Sequence, residues 1–355
     1  MIITVETLKL NGLVCQQRKN KLENKANFQT FNPDLAIQSV EEAMDMKMSG
    51  FASPLPSYIN RVYELQATDK TRIIAKFYRP GRWTKEAILE EHKFIADCAA
   101  EDIPVVSPMK QKNGETLGNA EGIHFAVYPK RSGRRIELDT EDDWRRIGRV
   151  ISRIHSAGAL SKSEFRVKLH PALSTKSDIE YLCEGNFISC LYLDPFRNLC
   201  DEILSLISGL FDENDFIRLH GDCHRGNLLE RPDEGIMVID FDDMVSGPPI
   251  QDLWLLLTDY AHNSHDEIRF LLEGYEQFRD FDRKSLCLIE PLRAMRIIYF
   301  LAWCARQSGD LQFRHHFPDW GNDAFWRKET NELKSQLELI RTALPQPAKR
   351  KTGRR

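Results

Sequence analysis

The sequence has no apolar run near the ~20 residues that a membrane-spanning helix needs. Its opening, Met1 to Val14, is interrupted by Glu6, Lys9 and Asn11, where a secretory signal would carry a continuous apolar core. Internal repeats and low-complexity blocks are missing, which sets aside solenoids and arrays. The eight cysteines show no paired spacing, so they form no disulfide framework by pattern and suit free thiols in a reducing cytoplasm. A dominant charge is missing too. The net charge is −4, and the five positive charges between Ala348 and Arg355 leave about −9 for the body, which argues against a nucleic-acid platform. The expectation is a soluble, cytoplasmic, monomeric protein with no membrane or nucleic-acid partner.

What is there is enough apolar residue, 42% of the chain, to bury a large core, as two lobes or domains. The most informative stretch runs from Phe216 to Leu229. Phe216 to Leu219 is a short strand by composition, followed by His220, Asp222, His224 and Asn227, with Gly221 and Gly226 allowing tight turns. Leu228-Leu229 begins a second strand, residues 231–235 read as a turn, and Ile236 to Ile239 is a β-branched-rich strand ending on Asp240. If the two strands form a hairpin, Asn227 and Asp240 present oxygen donors at one end of it. Two hard oxygen ligands beside the free carboxylate of Asp222 suit Mg²⁺ and a phosphorylated substrate. His220, Cys223 and His224 invite a zinc reading, but closed zinc sites pair Cys-x-x-Cys or His-x₃-His arms elsewhere, and the sequence has none.

His220-Gly-Asp-Cys-His-Arg-Gly-Asn227, followed by a strand ending in Asp240-Phe241, resembles the aminoglycoside phosphotransferase and choline kinase superfamily, relatives of the protein kinases. More narrowly, Asp240-x-Asp-Asp243, Gly247-Pro-Pro-x-Gln-Asp-Leu-Trp254, Ser57-Tyr-x-Asn-Arg-Val-Tyr63, Lys76-Phe-Tyr-Arg-Pro-x-Arg-Trp83 and Glu290-Pro-Leu-Arg-Ala-Met-Arg296 are similar to the bacterial stress response kinase A family. The likeness runs from about Phe28 to about Trp326. It implies an α+β, bilobal protein-kinase-like fold, with a small antiparallel-sheet N-lobe and a larger, mainly helical C-lobe. It also implies an ATP- and Mg²⁺-dependent kinase that phosphorylates Ser/Thr in proteins, itself included, and protects bacteria from stress.

The expected organisation follows. Residues 1–26 are a polar extension and 27–128 a nucleotide-binding N-lobe; 129–340 are a catalytic, acceptor-binding C-lobe and 341–355 a basic tail. Asn32-Pro33, Thr84 and Thr140 read as helix starts, the last as a capping box. Strands are expected around Tyr63, over residues 72–78, from Asp102, and over residues 122–129. The loop that covers the nucleotide in kinases lacks Gly-x-Gly-x-x-Gly here; Ser57 and Tyr58 would occupy its tip, where a backbone N–H or the hydroxyl meets a phosphate. The resemblance places the phosphate-pairing lysine at Lys76, held by a carboxylate from the helix after Trp83. Glu91 is the first choice and Glu90 the second, since neighbours on a helix point about 100° apart and one alone can face the site. Backbone groups of Phe125 to Tyr128 would bind adenine, Asp222 would orient the acceptor hydroxyl and take its proton, and Asn227 and Asp240 would hold Mg²⁺. Asp252 would brace the catalytic loop, and His155 reads as a structural hydrogen-bonder.

Two other classes share part of this pattern. A small-molecule kinase of the aminoglycoside, choline or homoserine type would use the same catalytic residues. A nucleotide-binding protein without catalysis is countered by the joint presence of Lys76, Asp222, Asn227 and Asp240. Arg166, Lys168, Lys176 and Arg197, with Arg293 and Arg296, would disfavour a cationic acceptor and tolerate a neutral hydroxyl or an acidic flanking sequence.

Overall fold

The structure, a computed structural model, describes residues 28, 31–232, 234–310 and 313–344. The expected extension 1–26, and the tail beyond Leu344, lie outside the described residues. In chain order the elements are α1 (Pro33–Met44), β1 (Met48–Pro54), β2 (Arg61–Ala67), β3 (Arg72–Phe77), α2 (Lys85–Ala100), β4 (Gly118–Ala120), β5 (Ile123–Pro129), β6 (Arg134–Arg135), α3 (Glu141–Ala159), α4 (Lys176–Glu184) and α5 (Leu193–Ile207). They continue with β7 (Ile217–Leu219), β8 (Leu228–Arg231), β9 (Gly235–Val238), β10 (Val245–Gly247), α6 (Ile250–Trp254), α7 (His265–Tyr275), α8 (Ile289–Gln307), α9 (Phe313–His316) and α10 (Asp323–Ala343). The chain divides into two compact units. The first runs to Ile136 and takes in Gly226–Asp242; the second holds Glu137–Arg225 and the chain from Asp243 onward. This differs from a cut after Tyr128, because β6 pairs with β8 and draws the β8–β9 hairpin into the first unit.

In the first unit α1 begins where the Asn32 side chain accepts from the Leu35 N–H at 2.9 Å, with Pro33 pre-setting the first helical residue. An antiparallel sheet of order β1-β2-β3-β5-β4 follows. Against its apolar side pack the rings of Phe31, Phe77 and Phe125, with Phe77 tilted on Phe31 at 4.5 Å and stacked on Phe125 at 5.1 Å. Thr84 caps α2, whose buried face is Ile88, Phe94 and Ile95 with one carboxylate among them, Glu91. The strand expected from Asp102 does not form: Pro104 and Pro108 each lack an N–H, and the segment makes a single bridge, Val105 to Val238. The hairpin β8–β9 has the register Leu228↔Val238 and Arg231↔Gly235, and β6 adds a third strand.

The second unit is mainly helical. The capping box at Thr140 is present, with the Asp143 carboxylate accepting from the Thr140 N–H at 3.0 Å. Helices α3 and α7 cross so closely that a Cβ on Gly148 would sit 2.1 Å from the Leu271 carbonyl, and one on Gly274 2.0 Å from that of Arg145. The apolar run after Asp252 is shorter as a helix than its sequence suggests, ending at Trp254. No helix among the described residues is long and apolar enough to cross a membrane.

Candidate active site

The site residues of the first unit gather around Lys76. It lies in β3 opposite Val62 on one side and Ala126 on the other, and it is 7% exposed. A lone lysine in a strand is usually a solvated face; here the ammonium is enclosed instead. It donates to Asp240 Oδ1 at 2.8 Å and approaches Asp242 Oδ1 at 3.3 Å and Glu91 Oε1 at 3.9 Å. Burial alone would strip its proton, but Asp240, Asp242 and Glu91 outweigh that and hold its pKa well above the usual lysine value. Glu91, rather than Glu90, is therefore the α2 carboxylate that reaches the lysine. Its own placement is supported from behind: Glu91 Oε1 lies 3.4 Å from the Tyr78 hydroxyl, which meets His92 Nε2 at 3.1 Å, while His92 Nδ1 meets Thr116 at 2.7 Å.

Asp242 carries no assigned role in the sequence reading, yet it is the most enclosed carboxylate of the hairpin end. It accepts from Asn60 Nδ2 at 3.1 Å and pairs with Arg82. Asn60 in turn accepts from the Arg79 N–H at 3.1 Å, and the Arg79 guanidinium donates to the carbonyls of Ile59 and Tyr58. This pins the turn between β1 and β2, in which Ser57 Oγ accepts from the Asn60 N–H at 3.3 Å. Ser57 is half-buried there. Phe125 is a core residue of the sheet, opposite Phe77 and Gly118, and the Val127 carbonyl accepts from Met109 at 2.7 Å. Strand pairing thus takes up that stretch of backbone. Tyr128, near the end of β5, turns its hydroxyl to that of Tyr78 at 3.1 Å.

The hairpin delivers the two oxygen donors to one end, as its register requires: the Ile239 N–H bonds the Asn227 carbonyl at 3.0 Å, and Asp240 follows. Asp240 has φ +62, a left-handed conformation that Asp tolerates better than most residues and that is commonly held at functional sites. Its side chain is 54% exposed, against 5% for Asp242. Mg²⁺ dehydrates reluctantly and keeps several waters, so the exposed Asp240 and the half-buried Asn227 fit it in kind, with few protein ligands and open water positions. Among the described residues no three His, Cys, Asp or Glu side chains form a closed metal site. Cys223 is buried and burial pushes its thiol well above the usual value, so it packs as a thiol rather than the thiolate zinc takes.

In the second unit, β7 feeds the loop that carries Asp222. Gly221 has φ +84, and a Cβ there would meet the Asp243 carbonyl at 2.0 Å, so only glycine makes this turn. Gly226 does not share that conformation. Asp252, at the start of α6, accepts from the N–H groups of His220 and Gly221, both at 2.8 Å. It also meets His155 Nε2 at 3.2 Å, and His155 Nδ1 lies 2.9 Å from the Tyr275 hydroxyl. Burial lowers the His155 pKa, so the ring is neutral: it donates from Nε2 to the carboxylate and accepts at Nδ1 from Tyr275. Bracing by Asp252 and a structural His155 follow from these bonds.

Asp222 itself lies between two donors. Arg296 Nη2 bonds its Oδ1 at 2.6 Å, and His224 Nε2 lies 3.5 Å from Oδ2. Burial works to raise its pKa, but the bond from His224 and the charge of Arg296 outweigh it and hold the carboxyl well below the usual range. Arg293, one turn before, is tied down elsewhere, donating to the Asp259 carbonyl at 3.0 Å over the rings of Trp254 and Tyr260. Lys168 pairs with Glu213 at 2.7 Å and Lys176 lies 4.0 Å from Glu180, while Arg166 is buried. Arg296 is an arginine of α8 that meets Asp222 directly, at 2.6 Å.

The chain matches the phosphotransferase enzyme family over residues 52–288. It is 37% identical over 322 residues to stress response kinase A of Escherichia coli K12, covering 88% of this chain and 94% of that protein. It is 36% identical over 320 residues to the serine/threonine protein kinase RdoA of Salmonella typhimurium, covering 90% and 96%. Among solved structures it is similar to an amicoumacin kinase in complex with AMP-PNP and Ca²⁺, with a TM-score of 0.67 at 19% identity over 89% of this chain and 95% of the other. It is also similar to a spectinomycin phosphotransferase, with a TM-score of 0.63 at 14% identity over 89% and 99%. These two likenesses speak to the fold. The chain is a kinase that belongs to the phosphotransferase enzyme family and, within it, to the stress response kinase A family.

Proposed function

We propose that this kinase moves the γ-phosphoryl group of Mg²⁺-bound ATP to a Ser or Thr hydroxyl of a protein, itself included, in bacterial stress protection. Asn227 and Asp240 hold the metal, and Mg²⁺ supplies charge neutralisation on the phosphates. Lys76, kept ionised by its carboxylates, neutralises and positions the same phosphates, with Glu91 holding it in place. Ser57 offers a backbone or hydroxyl donor from the turn before β2. Asp222 orients the acceptor hydroxyl; as that oxygen bonds to the γ-phosphorus, the bond to the β-phosphate oxygen breaks, ADP leaves, and the proton passes to Asp222.

The observation that carries the choice of acceptor is the Arg296–Asp222 ion pair at 2.6 Å. Kinases of choline or aminoglycosides must welcome a cation, whereas here the acceptor-side carboxylate is already matched by one. The relatives named as a stress response kinase and a serine/threonine protein kinase support the same reading. The test is transfer from labelled ATP with Mg²⁺, scored on protein bands and on a metabolite panel side by side. Expected are labelled Ser/Thr on the kinase or a generic protein, and no turnover of choline or kanamycin-like compounds. Ordinary turnover of a metabolite with no protein labelled would make the small-molecule kinase the correct reading.

A further inference from the structure

Arg293 and Arg296 sit one turn apart on α8, and they turn to different partners: Arg293 to the Asp259 carbonyl and Glu290, Arg296 to Asp222. The Arg296 side chain is 36% exposed, its Nη2 holds Asp222 Oδ1, and its guanidinium lies 5.6 Å from the Tyr299 ring centre. A guanidinium has five N–H donors in a rigid fork, so one edge can hold Asp222 while another faces a second anion. Asp222 meanwhile has Arg296 at one oxygen and His224 at the other, so its charge is drawn on from both sides. A cation brought to this carboxylate meets Arg296 first and is repelled. An anion brought beside it finds a half-exposed arginine whose carboxylate partner among the described residues is Asp222.

We propose that Arg296 is a specificity-determining residue: it reads an acidic side chain flanking the Ser or Thr that Asp222 orients, and so selects acidic acceptor sequences over basic ones. The proposal rests on the reading of Asp222 as the residue that orients the acceptor hydroxyl. Binding of the flanking carboxylate to the outer edge of the guanidinium also shifts Arg296 charge away from Asp222. The same contact that recognises the acceptor thereby leaves the base freer to take its proton.

The experiment uses three Ser peptides of equal length whose flanking residues are Glu, Gln or Lys, with the whole kinase and labelled ATP. The wild type should prefer them in that order. Arg296→Met should collapse the Glu-to-Lys ratio of kcat/KM by about tenfold or more, the size of a lost charge-assisted hydrogen bond, chiefly through KM of the Glu peptide. Arg296→Lys, which keeps the charge but loses the fork, should retain part of the preference. Arg306→Met, which removes a charge paired with Asp178 further along α8, should leave the ratio as it was. An unchanged ratio in Arg296→Met overturns the proposal, even if the rate falls equally on all three peptides. If Arg296→Met does not fold, Arg296→Gln replaces it on the same readout. If the wild type labels no peptide, it is the protein-acceptor reading that fails. The comparison is then run on small alcohols bearing a carboxylate, no charge or an ammonium, where an unchanged ratio again overturns the role of Arg296.

Discussion

The two units solve opposite electrostatic problems. In the first, one buried cation, Lys76, stands among three carboxylates, Glu91, Asp240 and Asp242. In the second, one carboxylate, Asp222, stands between a guanidinium and an imidazole. A lysine that must meet phosphates has to stay charged where water is scarce, and burial alone would neutralise it. A carboxylate that must orient a hydroxyl has to stay ionised, and Arg296 and His224 ensure that. In the nest, Lys76, Glu91 and Asp242 are buried and cross-braced through Tyr78 and His92 while Asp240 is open to solvent; Arg296 and His224 are both partly open.

The harshest way to break this comparison is Lys76→Met. It strands buried carboxylates without their cation, and loss of one partner from a buried ionic cluster costs about 3–5 kcal/mol. A lower urea midpoint and lost nucleotide binding are expected; a variant that melts and binds like the wild type would show the nest to be ornamental. Asp252→Ala should come next, at about 2–4 kcal/mol, because it leaves the His220 and Gly221 N–H groups and His155 without their acceptor. Urea unfolding checks it, and a change within ±0.5 kcal/mol would contradict the bracing role. Asn227→Ala and Asp240→Ala should each raise the Mg²⁺ concentration needed for nucleotide binding by roughly tenfold or more. Activity lost to a zinc chelator and not restored by excess Mg²⁺ would instead point to Cys223 and His224.

The smallest effect concerns pH. The folded pKa of His155 lies below the ordinary value near 6.5, so the unfolded chain takes up the proton first on acidification. Its contribution is whole above about pH 6.5 and falls away as pH drops towards the folded pKa, by at most about 1.4 kcal/mol per unit. Melting temperatures followed from pH 7.5 to 5.5 should therefore decline, and His155→Gln should flatten that slope. An identical slope in the variant would remove His155 from the account.

Much of this was legible in the sequence wherever the signal is local. Asn32, Thr84 and Thr140 announce their helices because a cap bonds residues three positions away. The turn at residues 231–235 announces the hairpin and, with it, the common end of Asn227 and Asp240. Strand β1 gives no such signal: it is mostly exposed, with Ser49, Gly50, Ala52 and Ser53 in place of alternating apolar residues. The prolines near Asp102 looked apolar enough for a strand but cannot supply its N–H groups. The partnerships of Asp222 with Arg296, Asp242 with Asn60, and Lys76 with Asp240 join residues 74, 182 and 164 positions apart, which no local pattern encodes. The resemblance supplied Lys76, while the roles of Asn60, Arg82 and Asp242 surfaced only once the chain was folded.

The most direct test of the account is Asp222→Asn, measured for nucleotide binding and for phosphoryl transfer on the same preparation. The substitution keeps the size of the side chain and one acceptor oxygen while removing the proton acceptor, and it leaves the Lys76 nest untouched. The account predicts ATP affinity close to that of the wild type with transfer down by roughly 10²–10⁴-fold, the usual share of a general base. Near-normal turnover by Asp222→Asn would contradict it.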